Sequence, residues 1–149
     1  MKYKDLSVTN FTCKGKCSGC GNCCGDILHL NKSEIKIIDN YVKKHKIKET
    51  KRCLLVDYDN TCPFRDNINK KCKIYEVRPE ICRVYKCDKT PEEVYKNREF
   101  TNNKKLVRSM RDLFFNDRKG AEWIFKTLHI FIYDKNDKII RGVENNDNN

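Results

Sequence analysis

Ile35, Ile38, Tyr41 and Val42 recur at helical spacing, and the residues before them carry a helix start. Asn31 is placed to cap, Glu34 stands three residues on, and Leu30 ahead of the cap faces Ile35; together these predict a capping box and a hydrophobic staple. Lys43-Lys44-His45-Lys46 reads as the solvated end of this helix, with His45 a surface residue. Ile27-Leu28-His29-Leu30 is a short apolar run leading into it. Cys53-Leu54-Leu55-Val56-Asp57-Tyr58 reads as a buried strand followed by a turn at Asp59-Asn60.

Further along, Arg78 is held extended before Pro79, which begins a short helix carrying Cys82, with Cys87 just past its end. Thr90-Pro91-Glu92-Glu93 is a second helix start, a cap followed by proline and an acidic first turn. A longer helix is expected from about Asn103, with Leu106, Val107, Met110, Leu113 and Phe114 on one face. Gly120 interrupts it, and Ala121, Ile124, Phe125 and Leu128 predict another helix bearing Trp123. His129 to Tyr133 and Lys138 to Arg141 read as a β-hairpin packed on these helices, its aromatic residues belonging to the core. Residues 1–15 read as an arm, and Glu144 to Asn149 as a disordered tail.

This pattern leaves a lean core, since 38% of the 149 residues are hydrophobic and 36% charged. Cross-links would compensate, and the ten cysteines offer them. The start Met1-Lys2-Tyr3-Lys4-Asp5-Leu6-Ser7 lacks the apolar stretch of a signal peptide, and no apolar run approaches membrane-spanning length. A cytoplasmic protein without a membrane partner is therefore expected, in a compartment where clustered cysteines bind metal far more often than they form disulfides.

Cys17-Ser18-Gly19-Cys20-Gly21-Asn22-Cys23-Cys24 has the pattern C-x2-C-x2-C-C. Thiolate is the metal-binding form of cysteine, and two-residue spacers let a tight turn bring sulfurs to one centre. Adjacent Cys23 and Cys24 tend to point apart, so one of them is expected to serve a second site or a long-range bond. A second, looser group follows at Cys62, Cys72, Cys82 and Cys87. Its spacing matches no zinc finger, so these sulfurs are expected to converge by folding, with the first group as their meeting point. Cys13, four residues before Cys17, falls outside the tight repeat at a spacing that a metal loop could use, so it and Cys53 are either extra ligands or bystanders. His29, five residues beyond Cys24, is either an additional ligand or a partly buried histidine at the helix entrance. Arg78 and Arg83 flank the second group, where they either offset thiolate charge and donate hydrogen bonds to sulfur or form surface ion pairs.

The net charge of +11 invites a nucleic-acid reading. Two four-thiolate centres with divalent charge would lower it to about +7. Lysine is also spread over the whole chain rather than gathered with a docking element, so nucleic acid is not an expected partner. No G-x-G-x-x-G after a strand, Walker loop, H-E-x-x-H or G-x-S-x-G is present, and no catalytic constellation is evident.

At these cysteines the chain resembles the cysteine-cluster proteins of YkgJ type, a zinc- or iron-chelating domain family. The shared pattern comprises Cys17, Cys20, Cys23 and Cys24, then Cys62 with Phe64, Cys72 with Ile74-Tyr75, Arg78-Pro79 with Cys82-Arg83, and Cys87, over residues 16–88. The resemblance implies eight metal ligands, Cys17, Cys20, Cys23, Cys24, Cys62, Cys72, Cys82 and Cys87, and leaves Cys13 and Cys53 outside the set. Flagellin lysine N-methylases look like longer relatives with a similar cysteine module. The expected architecture is thus a small, mainly helical α+β domain with short strands and hairpins, stabilised by metal. Its parts are the arm, a cysteine-cluster domain over 16–88, a helical extension with a C-terminal hairpin over 89–143, and the tail from 144.

Eight cysteines divide into two zinc sites of four thiolates each. A C-x2-C-x2-C run completed by a distant cysteine is equally the arrangement of iron–sulfur ferredoxins, which favours an iron–sulfur cluster, such as 4Fe-4S, with Cys17, Cys20 and Cys23 as local ligands. A metal-centre protein is the leading expectation. The alternatives are a lysine N-methylase-like enzyme module and a structural-zinc adaptor that binds protein or nucleic acid.

Overall fold

Asn31 starts helix α1 (Lys32–His45) as its neighbours dictate. Its Oδ1 accepts the Glu34 amide N–H at 2.9 Å, and Glu34 Oε1 accepts the Asn31 amide N–H at 3.2 Å. The helix ends where Lys46 turns left-handed and Ile47 N–H donates back to the Val42 carbonyl at 3.0 Å. Ile38 is fully buried, and Ile35, Tyr41 and Val42 pack beside it. The computed structural model of the chain describes residues 24–84 and 105–142. The arm, the helix start at Thr90-Pro91 and the polar tail from Glu144 lie outside the described residues.

The apolar run before α1 is a strand. β1 (Ile27–Leu30) pairs antiparallel with β4 (Leu106–Ser109), Ile27 opposite Ser109 and Leu30 opposite Leu106. This corrects the long helix expected from Asn103. The apolar spacing from Leu106 to Phe114 suits a helix, but Leu106 and Val107 instead satisfy their backbone groups against β1. Only Met110–Phe115 is helical (α3), begun by Ser109, whose Oγ accepts the Asp112 amide N–H at 3.3 Å. Arg108 anchors the strand from within: its guanidinium is buried and donates to the carbonyls of Leu30 (3.0 Å) and Asp134 (2.6 Å) and to Asp137 Oδ1 (2.7 Å).

Two apolar clusters flank this sheet. Leu30, Ile38, Cys62, Phe64, Ile74 and Met110 form the first, with Leu28 beside them and the rings of Phe114 and Phe115 each 5.4 Å from Phe64. Ala121, Ile124, Ile132 and Ile140 form the second, joined by Ile27 and Val107. Alternation along β1 separates the two sets.

Helix α4 (Lys119–Leu128) runs through Gly120, which does not interrupt it. The Tyr58 ring packs over Gly120, where a Cβ would make only an ordinary contact at 3.4 Å, and stacks on Trp123 at 5.0 Å. The expected C-terminal hairpin is reduced to a single antiparallel bridge, Tyr133 to Ile139, closed by Asp134 N–H to the Lys138 carbonyl and Ile140 N–H to the Ile132 carbonyl at 2.8 Å each, while the Tyr133 N–H donates outward to Val107 and Arg108 takes the Asp134 carbonyl. Its inward residues, Ile132 and Ile140, are buried as core.

Cys53 to Tyr58 is not a buried strand. Leu54 and Leu55 are 79% and 95% exposed, and the segment turns instead of pairing. Asp59 folds it back: Oδ2 accepts the Cys53 amide N–H at 2.6 Å and Oδ1 that of Thr61 at 2.9 Å. A side chain offering local hydrogen bonds competes with a strand ladder in this way. Burial raises the Asp59 pKa, but these N–H donors outweigh it and hold the carboxyl below its usual range. The architecture is mixed α+β, and no helix among the described residues is long and apolar enough to cross a membrane.

Candidate metal centre

Cys24 reaches the first apolar cluster through one backbone bridge. Gly25 pairs antiparallel with Thr61, so the next pair in that register is Cys24 with Cys62, and both pack in the same cluster. Beyond the bridge, Asp26 N–H donates to the Asn60 carbonyl at 2.7 Å. The approach is close: a Cβ at Gly25 would sit 3.2 Å from Asn60 Nδ2, which would have to shift slightly, and 3.6 Å from the Asn60 carbonyl oxygen, an ordinary contact.

Asp26 fastens this junction to α3. Its Oδ2 accepts the Ser109 hydroxyl at 2.7 Å, its Oδ1 the Arg111 amide N–H at 2.8 Å, and its carbonyl the Met110 N–H at 2.9 Å. Burial pushes its carboxyl up to about 6, against the opposing pull of Ser109 and Arg111. The buried Arg111 guanidinium donates to Glu49 (2.8 Å) and to the carbonyls of Thr50 (2.8 Å) and Thr61 (2.9 Å), holding the backbone that enters Cys62.

Cys62 is buried, and its chain turns at once: Arg65 N–H donates to the Cys62 carbonyl at 3.1 Å. β2 (Arg65–Asp66) then pairs with β3 (Lys71–Cys72), setting Cys72 opposite Arg65. Asp66 shapes the turn between them by accepting the amides of Ile68 (2.9 Å) and Asn69 (3.1 Å). After a 3-10 turn at Tyr75–Val77, extended Arg78 and buried Pro79 lead into helix α2 (Glu80–Val84), which carries Cys82 as expected. Glu34 caps this helix from a distance, its Oε2 accepting Glu80 N–H at 2.8 Å. Lys105 bridges Glu34 and Glu80 at 3.1 and 3.0 Å.

Burial pushes the Cys62 thiol far above its usual range, and the thiols of Cys82 and Cys72 are near enough to push it further. Cys24 and Cys72 are half-buried against the same cluster as Cys62, and Cys82 is half-buried on α2. None of these four, nor Cys53, is in a disulfide. Among the described residues, no three Cys, His, Asp or Glu side chains are drawn close enough to hold a metal ion. The donor chemistry nonetheless fits zinc or iron. These are soft sulfur donors in an apolar setting, where a thiolate such as that of Cys62 is stable only with a cation beside it.

The remaining candidates lie elsewhere or outside. Cys53 is exposed in the loop closed by Asp59. His29 shares the β1 face of Ile27, the side of the second cluster, and burial followed by the Lys105 charge lowers its pKa. The Arg78 guanidinium lies over the Tyr75 ring at 3.8 Å, its Nε donating to the Tyr75 carbonyl at 3.0 Å. Arg83 is exposed. Cys13, Cys17, Cys20, Cys23 and Cys87 lie outside the described residues. Sequence reasoning passed over Asp26, Arg111 and Lys105, whose partners are distant in the chain; the one local sign was an aspartate two residues after the cysteine run.

Comparison with known proteins agrees with this chemistry. The model of the CxxCxxCC family, described as a "putative zinc- or iron-chelating domain", matches residues 16–107, and the chain belongs to this family. The match continues past the last cysteine into β4. A protein of Methanocaldococcus jannaschii, named "Uncharacterized protein MJ0661", is 36% identical over 77 residues, which cover 46% of this chain and 42% of the relative. The match thus spans less than half the length of that relative. No solved structure matches the chain.

Proposed function

We propose that this member of the CxxCxxCC family is a metal-centre protein that uses Cys17, Cys20, Cys23, Cys24, Cys62, Cys72, Cys82 and Cys87 as ligands and carries at least one iron–sulfur cluster. The observation that carries the reading is the Gly25–Thr61 bridge, which joins the end of the tight cysteine repeat to the backbone just before Cys62. Iron is favoured over zinc alone because a C-x2-C-x2-C run with a distant fourth cysteine is a ferredoxin arrangement. Cys17, Cys20 and Cys23 are the local ligands of that cluster. When bound, such a centre supplies electron transfer or a cross-link for a lean core.

The chain's own residues do the rest. Phe64, Ile74 and Leu30 exclude water around Cys62, while Asp26 and Arg111 hold the two cysteine-bearing segments in register. Binding free energy at such a site is also folding free energy. The test is purification without oxygen. A brown protein with broad visible absorption, iron and acid-labile sulfide is expected; a colourless protein with stoichiometric zinc and no iron would replace the cluster by two structural zinc sites.

A further inference from the structure

Among the described residues, the most exposed large apolar side chains stand on two loop tips. Leu54 and Leu55 lead the loop whose neck Asp59 closes, and Leu55 is 95% exposed. Ile68, 91% exposed, tops the turn between β2 and β3 that Asp66 fixes. The two loops share a root: Thr50 N–H donates to the Pro63 carbonyl at 2.8 Å and its hydroxyl to the Arg65 carbonyl at 2.6 Å, while Lys73 Nζ donates to the Lys48 carbonyl at 2.9 Å. Hydrogen bonds at the base thus hold apolar side chains out in water, where they gain nothing for the fold.

The chain entering the first tip is strongly basic. Lys43, Lys44, Lys46, Lys48, Lys51 and Arg52 stand against Glu49 alone, and the buried Arg111 takes the Glu49 carboxylate. Lys44, Lys46, Lys48 and Lys51 are exposed and make no ion pair among the described residues. The same holds for Lys70 and Lys71, which follow Ile68. Asp57 is the exposed acid of the first loop, set beyond Val56.

We propose that these tips dock the protein on an anionic lipid surface, with Leu54, Leu55 and Ile68 entering the headgroup–acyl boundary and the lysines meeting the lipid charge. Peripheral attachment needs such a pair of signals, an apolar anchor and a basic patch. The absence of a spanning run, on which the expectation of no membrane partner rests, does not bear on a tip that enters only this far. The exposure itself favours lipid. A side chain open on nearly every side is desolvated by a fluid that closes around it, whereas a flat protein face covers one side. A nucleic-acid backbone would take the lysines and leave the leucines in water. A second copy would bring like charges together. The Ile68 turn tops the hairpin that carries Cys72, so docking sets that hairpin beside the lipid whatever metal the cysteines hold.

The native chain, isolated without oxygen, is mixed at near-physiological salt with vesicles of phosphatidylcholine alone or with about one third phosphatidylserine, and bound protein is read by co-sedimentation. Binding to the phosphatidylserine vesicles alone, weakening as salt rises, is expected. Leu55→Ser and Ile68→Ser should each weaken it on the order of ten-fold. Lys48→Gln and Lys51→Gln should each weaken it about five-fold. Unfolding midpoints should stay unchanged, because these side chains are exposed. In Leu55→Trp, emission should shift to the blue on binding and be quenched by brominated acyl chains. Adsorption that the lysine variants weaken but Leu55→Ser and Ile68→Ser do not would overturn insertion, as would no binding to either vesicle. Tip-dependent binding to a duplex oligonucleotide, or tip-dependent self-association in sedimentation, without vesicle binding would replace the lipid by nucleic acid or by a second copy.

Discussion

Glu34 and Glu80 are 46 residues apart, yet one carboxylate serves both of their helices. Oε1 of Glu34 closes the capping box of α1, and Oε2 accepts the first amide of α2, where Cys82 resides. Glu34→Ala therefore removes two caps and one of the two carboxylates that the buried Lys105 ammonium bridges. A loss of about 2–4 kcal/mol is expected, since a cap contributes roughly 1 kcal/mol and a broken buried pair more. Denaturant unfolding measures it. Alkylation of Cys82 should also quicken as α2 loosens; an unchanged rate would separate Glu34 from the cysteine site.

Asp26 makes a comparable test at the other junction. Asp26→Ala leaves the Ser109 hydroxyl and the Arg111 amide without their buried acceptor, a cost of about 1–3 kcal/mol for each unsatisfied group. Metal content should fall along with stability, because Cys24 and Cys62 lose their common register. Asp26→Asn keeps one acceptor oxygen and should fall between wild type and the alanine variant. Metal retention by an unstable Asp26→Ala protein would show that the register is not needed for binding.

His29 predicts a pH dependence with a definite sign. Burial, and after it the Lys105 charge, lowers its folded pKa below the ordinary value of 6.5, so the fold prefers neutral imidazole. Its contribution is fully present above pH 6.5 and is lost as pH falls through the lower folded value. Between pH 7.5 and pH 5.5 the wild type should lose more stability than His29→Gln, measured as the difference between their unfolding midpoints at each pH. Parallel curves would remove His29 as the titrating group.

The exposed loop separates apolar composition from core membership. Leu55→Lys should change stability by no more than about 0.5 kcal/mol, as is usual for an exposed position, because this side chain is 95% exposed. Phe64→Ala should cost about 3–5 kcal/mol, since Phe64 is fully buried between Phe114 and Phe115. Thermal unfolding of both variants checks the contrast, and a large loss at Leu55 would restore the buried strand.

What the sequence determined alone lies within a few residues of itself. The capping box at Asn31 and Glu34, the short helix after Pro79 and the periodicity of Ala121 to Leu128 were legible because their interactions span three or four positions, as did the cysteine pattern that carries the family. Tertiary structure decided the rest, where one pattern suits two partners. Leu106 and Val107 fit a helix face equally well, and became a strand because β1 was there to pair with them. Leu54 to Val56 had the composition of a strand and no partner among the described residues, so Asp59 turned the segment outward. Which cysteines share a surface was likewise a matter of register between Gly25 and Thr61, a contact across 36 residues that local spacing does not encode.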